Sequence, residues 1–218
     1  MAIWHRHAWL AYLAVLVGVF GHASTEFFAV LSGIAGPELS VWRFMLGGFG
    51  LIFLALLMPA SRDLLAPFKS HFWSLIILSF LGVTVGYLVF HWSLDFASVP
   101  QVATTVTTIP IFVAIANLLI NRQPISLAKM IGGICAVGGI ALLITDGYLA
   151  RLAGSGSNLL GIFLAMGCAA AVALYSVLAR PIVAEYGALR ITAITMMLGG
   201  IGLWVLVGVV FGVWAMPE

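Results

Sequence analysis

Residues 98–126 read SVPQVATTVTTIPIFVAIANLLINRQPIS, an apolar segment broken up by hydroxyl side chains and prolines. Pro100 starts a helix, and Pro110 lies inside it, where a helix in water would lose about 3 kcal/mol. In a bilayer, neighbouring helices and hydroxyl groups satisfy the freed backbone groups, so we expect the helix to persist. One face of this helix carries, at i, i+3, i+4 and i+7, the polar residues Gln101, Thr104, Thr105 and Thr108. The segment therefore predicts a membrane helix with a polar face suited to binding a solute.

The composition of the whole chain also indicates a bilayer. Of its 218 residues, 63% are hydrophobic and 7% are charged, whereas soluble domains carry about 25% charged residues. A soluble fold of this length cannot bury so much apolar surface. The net charge of +2 is spread over segment ends, which argues against nucleic acid as a partner. The sequence thus predicts an integral membrane protein.

Apolar segments recur along the chain, and each is close to the roughly 20 residues that cross a bilayer. Seven can be distinguished, at about residues 9–31, 40–59, 72–94, 100–120, 126–145, 159–179 and 191–213. Tryptophans lie near the ends of these segments, as interfacial anchors do: Trp9, Trp42, Trp73, Trp92 and Trp214. We therefore predict an all-α membrane protein with about seven transmembrane helices.

Basic residues are divided unequally between the two sides of this predicted bundle. The side that holds the N-terminus carries Arg6, Arg62, Lys69, Arg122, Lys129, Arg180 and Arg190. The other side has Arg151, with Arg43 just inside the second segment. Because cytoplasmic loops are enriched in Lys and Arg, the chain is expected in the cytoplasmic (inner) membrane with its N-terminus in the cytoplasm.

An internal repeat links the second and seventh segments. MLGGFGLIFL at residues 45–54 recurs as MLGGIGLWVL at residues 197–206. The copies are five spans apart, and because five is odd they must run in opposite directions. Inverted repeats of this kind underlie many secondary transporters. We expect a first repeat over residues 1–150 and the beginning of a second, apparently truncated one over residues 151–218.

Small residues at helical spacing indicate where helices approach each other. The pairs Gly82/Gly86 and Gly208/Gly212 have the G-x-x-x-G spacing of close helix packing. Cys135 and Cys168 both lie in apolar segments and predict packing, with no disulfide framework.

These features resemble the EamA-type transporters of the drug/metabolite transporter superfamily. The resemblance rests on a helix rich in small and hydroxyl residues, its central step Pro110-Ile111-Phe112, and a turn into a helix with Gly132-Gly133 and Gly138-Gly139. It covers most of the chain and implies a five-plus-five helix architecture. It also implies that the protein is not an enzyme and exports small organic molecules such as metabolites and amino acids. The chain departs from the family at Gln123, where a glutamate is usual.

Polar and ionisable residues share the outer half of the predicted bundle. At 1.5 Å per residue, Glu26 lies roughly 25 Å along the first helix, with His22 one turn shallower. Because such groups usually face a cavity or a partner, we predict that the substrate-binding residues are Glu26, His22, Arg43, Tyr87, His91, Gln101, Thr104, Thr105, Thr108 and Tyr175. The competing interpretation is that these are interfacial residues at helix ends. The resemblance to small multidrug transporters suggests Glu26 as a proton carrier.

A metal-dependent hydrolase within the membrane is the alternative function. His22 and Glu26, like His91 and Asp95, are four residues apart and so place two metal ligands one turn apart. However, the seventh segment has no histidine, which such hydrolases use, and no lysine, which a retinal protein needs. We therefore expect a transporter with no cofactor and no metal, whose partners are a small-molecule substrate and the lipid bilayer. Homodimer formation is left open.

Overall fold

The computed structural model describes residues 36–144 and 156–212, together with scattered residues between 9 and 31. From residue 36 onward the described chain forms eight α-helices and one π-helical segment. They are α1 (Gly36–Leu57), α2 (Ala66–Ser79), the π segment (Phe80–Val85), α3 (Gly86–Leu94), α4 (Val99–Val106), α5 (Ile109–Asn121), α6 (Leu127–Ile144), α7 (Gly156–Tyr186) and α8 (Ala188–Phe211). The described residues contain no β-strand, so the predicted all-α fold is confirmed.

Helices long and apolar enough to cross a bilayer account for most of the described chain. Five such spans occur there: Glu38–Leu57, Ala66–Leu94, Gln101–Asn121, Leu159–Tyr186 and Ala188–Phe211. A shorter apolar helix, Leu127–Gly139, matches the predicted fifth segment. The predicted first segment lies mostly outside the described residues, and the count of seven therefore stays a prediction. The chain is a multi-pass membrane protein.

The two copies of the sequence repeat pack against each other, and α1 and α8 make the most extensive helix contact in the described part. A methyl group added at Gly48 would lie 2.9 Å from the Cα of Met197. A methyl group at Gly200, the equivalent of Gly48, would lie 3.3 Å from the backbone nitrogen of Met45, the equivalent of Met197. The contact is therefore reciprocal, as two elements related by a pseudo-twofold axis would make it.

The directions of the two helices follow from the ends of the same contact. At one end, Val41 and Val207 are buried in one apolar cluster. At the other end, Arg190 donates a hydrogen bond to the carbonyl of Ala60. Residue numbers rise along α1 while they fall along α8, so the helices are antiparallel. This is the relation that a separation of five spans predicts.

The π segment interrupts the span Ala66–Leu94 where it faces α7 and α8. Gly82 lies against the ring of Tyr175, and an added methyl group there would be 2.6 Å from Cγ of the ring. Thr84, which is fully buried, donates from Oγ1 to the carbonyl of Gly199 at 2.9 Å. The predicted close packing at Gly82 is thus confirmed. Gly212 instead ends α8 in a left-handed conformation (φ 67°), and no described residue lies within 4 Å of an added methyl group, so the packing prediction is wrong there.

The helix around Pro110 differs from the sequence prediction. The span from Gln101 to Asn121 exists, but α4 ends at Val106 and α5 begins at Ile109, which puts Pro110 in the first turn of a new helix. The hydroxyls of Thr107 and Thr108 donate to the carbonyls of Thr104 and Thr105 at 2.6 and 2.7 Å. These local bonds compete with the helical pattern, and Pro110 has no N–H to restore it. The expectation that one helix persists through Pro110 is therefore wrong.

Candidate functional site: an imidazole between two helices

His91 lies on α3 and bridges to α1. Its Nδ1 is 2.7 Å from the carbonyl oxygen of Tyr87, one turn earlier, and Oγ of Ser40 lies 2.9 Å from Nε2 and 3.2 Å from Nδ1. A carbonyl only accepts hydrogen bonds, so Nδ1 carries the proton that it donates to Tyr87. In the neutral ring Nε2 is then the accepting nitrogen, and it is the one nearer to the hydroxyl of Ser40, which is buried on α1.

Both ring nitrogens of His91 therefore have an oxygen within hydrogen-bonding distance, one on its own helix and one on α1. Histidine is the side chain whose ordinary pKa lies nearest to neutral pH, and ionisable side chains inside membrane spans commonly mark solute or ion paths. His91 is therefore the centre of the candidate site.

Arg43 and Tyr87 border the same contact between α1 and α3. Arg43 lies one turn after Ser40 on α1, next to Phe44. The Tyr87 ring packs edge-on against Phe44, with the ring centroids 4.2 Å apart. Three of the predicted site residues, Arg43, Tyr87 and His91, therefore come together, and each side chain is partly exposed.

The predicted polar face of α4 has a different environment. Gln101 accepts a hydrogen bond from the backbone nitrogen of Ser98 at 3.1 Å and so caps its own helix. Thr105 is buried and donates to the carbonyl of Gln101 at 2.7 Å, and the buried Thr108 bonds within the helix break. Thr104 is partly exposed. The described hydroxyl bonds of this face stabilise the broken helix, and the face packs towards α7.

Tyr175 on α7 is separate from the His91 contact. Its hydroxyl is 2.8 Å from Oγ1 of the buried Thr195 on α8, and its ring covers Gly82 of the π segment. Tyr175 thus joins three elements where α7, α8 and the π segment meet. Its position as a substrate-binding residue stays a prediction.

The two candidates from the first segment, His22 and Glu26, lie outside the described residues. The metal-site alternative needs both of them. Among the residues that the structure does describe, no group of three or more His, Cys, Asp or Glu side chains could hold a metal ion. Asp95, the fourth residue of that hypothesis, is exposed at the end of α3.

Ser40 is the site residue that sequence reasoning missed. It stands at the predicted beginning of the second segment, where a polar residue is expected at the membrane surface, and it is 51 positions from His91. The available signal was the pair Ser40 and Arg43, which are three residues apart and therefore on one helix face.

Comparison with known proteins agrees with this membrane architecture. The model of the EamA-like transporter family matches residues 9–145, which is more than half of the chain. A protein of Archaeoglobus fulgidus described as an uncharacterized transporter is 26% identical over 127 residues. That match covers 58% of this chain and 43% of the relative, so the chain spans less than half of the length of that relative. No solved structure matches the chain. With its apolar spans and the matched region running from the first segment to the end of α6, the chain belongs to the EamA-like transporter family.

Proposed function

We propose that this protein is a secondary transporter that exports small organic metabolites or amino acids across the cytoplasmic membrane. The observation that carries the proposal is the bridge from Ser40 to His91 and Tyr87, with Arg43 beside it. A cation and a titratable ring within a membrane span are costly unless they serve a solute or ion path. Arg43 would form an ion pair with a carboxylate of the solute. The negative charge of that carboxylate would favour the protonated form of His91.

The inverted repeat supplies the conformational part of this proposal. The reciprocal, antiparallel packing of α1 on α8 supports a first repeat over residues 1–150 and a second repeat that begins at residue 151. In such transporters alternating access comes from rocking one repeat against the other. The π segment belongs to the first repeat and packs against α7 and α8 of the second, and π-helical turns are frequent at functional sites because they interrupt the regular hydrogen-bond pattern.

Efflux from cells tests this function. Cells that lack their own exporters would express the protein and be loaded with a panel of labelled amino acids and organic acids. We expect faster efflux of at least one solute than in cells with an empty vector, and a loss of at least about tenfold in His91→Gln, the size that mispositioning of a bound solute commonly causes.

His71→Gln is the matched control, because His71 is the other partly exposed histidine of the same span. It should keep efflux near that of the unchanged protein, with both variants present in the membrane in equal amounts. The proposal fails if no solute leaves faster than from control cells, or if His91→Gln and His71→Gln behave alike.

A further inference from the structure

A long apolar cleft separates α5 from α6. Its volume is about 940 Å³, near the upper end of the roughly 300–1,000 Å³ found for small-molecule sites. The two helices approach where the Ile111 side chain would meet a methyl group added at Gly133, at 3.7 Å. Aliphatic side chains form most of its walls, among them Ile109, Ile115, Met130, Ile134 and Val137.

Three polar side chains line the cleft, and two of them already form hydrogen bonds within the protein. Thr107 donates its hydroxyl proton to the carbonyl of Thr104, as described above. Asn117 donates to the carbonyl of Val113 at 3.0 Å and accepts from Asn121 at 2.9 Å. Lys129 is the third, and within residues 36–144 and 156–212 its ammonium group has no ion pair.

The charge of Lys129 lies at one end of the cleft, in the first turn of α6. The N-terminal end of a helix carries a partial positive charge, which adds to that of the ammonium group. Arg122, in the turn between α5 and α6, places a second exposed cation at the same end. The cleft is therefore apolar along its length and positive at one end.

We propose that this cleft binds an anionic phospholipid of the cytoplasmic leaflet, with its phosphate on Lys129 and an acyl chain along α5 and α6. A water-soluble metabolite would leave its polar groups without partners on these aliphatic walls. An acyl chain has no such groups, and exposed lining side chains such as Ile134 and Val137 suit contact with the bilayer. Basic pockets between transmembrane helices on the cytoplasmic side suit anionic headgroups.

Native mass spectrometry of the detergent-purified protein tests this site. The protein would be titrated with phosphatidylglycerol or with phosphatidylcholine of the same acyl chains. We expect one phosphatidylglycerol to be retained at the lowest lipid ratio, and phosphatidylcholine to bind more weakly. Lys129→Gln should lower the affinity for phosphatidylglycerol about fivefold, the effect of one lysine near an anionic lipid, and Lys129→Arg should restore it.

Lys69→Gln is the matched control, because Lys69 is also exposed and predicted on the cytoplasmic side but lies on α2, away from the cleft. It should bind phosphatidylglycerol like the unchanged protein. Gly133→Leu, which fills the cleft, should weaken both lipids. The proposal is overturned if Lys129→Gln binds as well as the unchanged protein, if Lys69→Gln loses as much, or if Gly133→Leu displaces a second copy of the chain and not a lipid. None of these outcomes depends on solute transport.

Discussion

Two glycine-rich helices of this protein, α8 and α6, have opposite surroundings. In α8, methyl groups added at Gly199 and Gly202 would collide with the π segment, and one at Gly200 would lie 3.2–3.3 Å from the backbone of α1. In α6, methyl groups added at Gly132, Gly138 and Gly139 would meet none of the described residues within 4 Å. Similar sequences thus form a tightly packed crossing in one place and the wall of an open cleft in another. A glycine pair indicates that close approach is possible, but only a partner helix makes it happen.

A pair of alanine substitutions gives the largest expected difference between these helices. In Gly199→Ala the new methyl group meets Val83 and lies 2.9 Å from the carbonyl oxygen of Ser79. We expect the free energy of unfolding in detergent to fall by about 1–3 kcal/mol, as overpacking usually costs. Gly132→Ala should leave it unchanged or raise it by up to about 1 kcal/mol, because alanine favours a helix. Equal changes in both variants would contradict the comparison.

The reciprocity of the α1–α8 crossing has its own test in Gly48→Ala, Gly200→Ala and the double variant. Each single change should lower the unfolding free energy by about 1–2 kcal/mol, within the range for overpacking. Because widening the crossing once relieves both clashes, the double variant should lose less than the sum of the two. Thermal unfolding of all three measures the coupling. Additivity within about 0.5 kcal/mol would mean that the two glycines act at independent contacts.

The loss of one interhelical hydrogen bond at the packed crossing should lower the unfolding free energy less than the glycine substitutions do. Thr84→Val keeps the shape of the side chain but loses the bond from Oγ1 to the carbonyl of Gly199. We expect a loss of about 0.6 kcal/mol, and at most about 1.7, as for other bonds between membrane helices. Ser176→Ala is the control, because Ser176 is exposed and, among the described residues, its hydroxyl bonds within α7, to Val172. A larger effect in Ser176→Ala than in Thr84→Val would contradict this assignment.

The sequence predicted those features that depend on composition and on the internal repeat. The apolar spans, the all-α fold and the antiparallel relation of residues 45–54 and 197–206 all follow from the sequence and appear in the structure. Features that depend on local competition for backbone groups were not predicted. At Thr107 and Thr108 the hydroxyls take the carbonyl bonds of the helix, which a helical periodicity does not reveal.

The candidate site shows the same division. Arg43, Tyr87 and His91 were recognised because ionisable groups are rare in membrane spans. Ser40, which contacts His91, was not, because a serine at the end of a segment carries no such signal. For Gln101 the structure adds a local role, since its side chain caps α4, and its part in solute binding stays a prediction.

The contact between α2 and α7 is intermediate in packing between the crossing and the open cleft. We expect substitutions there to change the unfolding free energy least. His71 is 3.3 Å from Glu185, Ser70 is 2.7 Å from the hydroxyl of Tyr186, and the carboxylate of Glu185 is more than half exposed. Exposed ion pairs contribute about 0–1 kcal/mol and are weakened by salt. Glu185→Gln keeps a hydrogen-bond acceptor for His71 and removes only the charge, so we expect the unfolding free energy to fall by less than about 0.5 kcal/mol, within that range. Any fall should disappear at high salt, which unfolding at two salt concentrations measures.

Tyr186→Phe, which removes the uncharged bond to Ser70, should show a change that salt does not affect. If instead Glu185→Gln costs as much as Gly199→Ala, then the charge at the α2–α7 contact stabilises the protein as much as the glycine packing of α8 does.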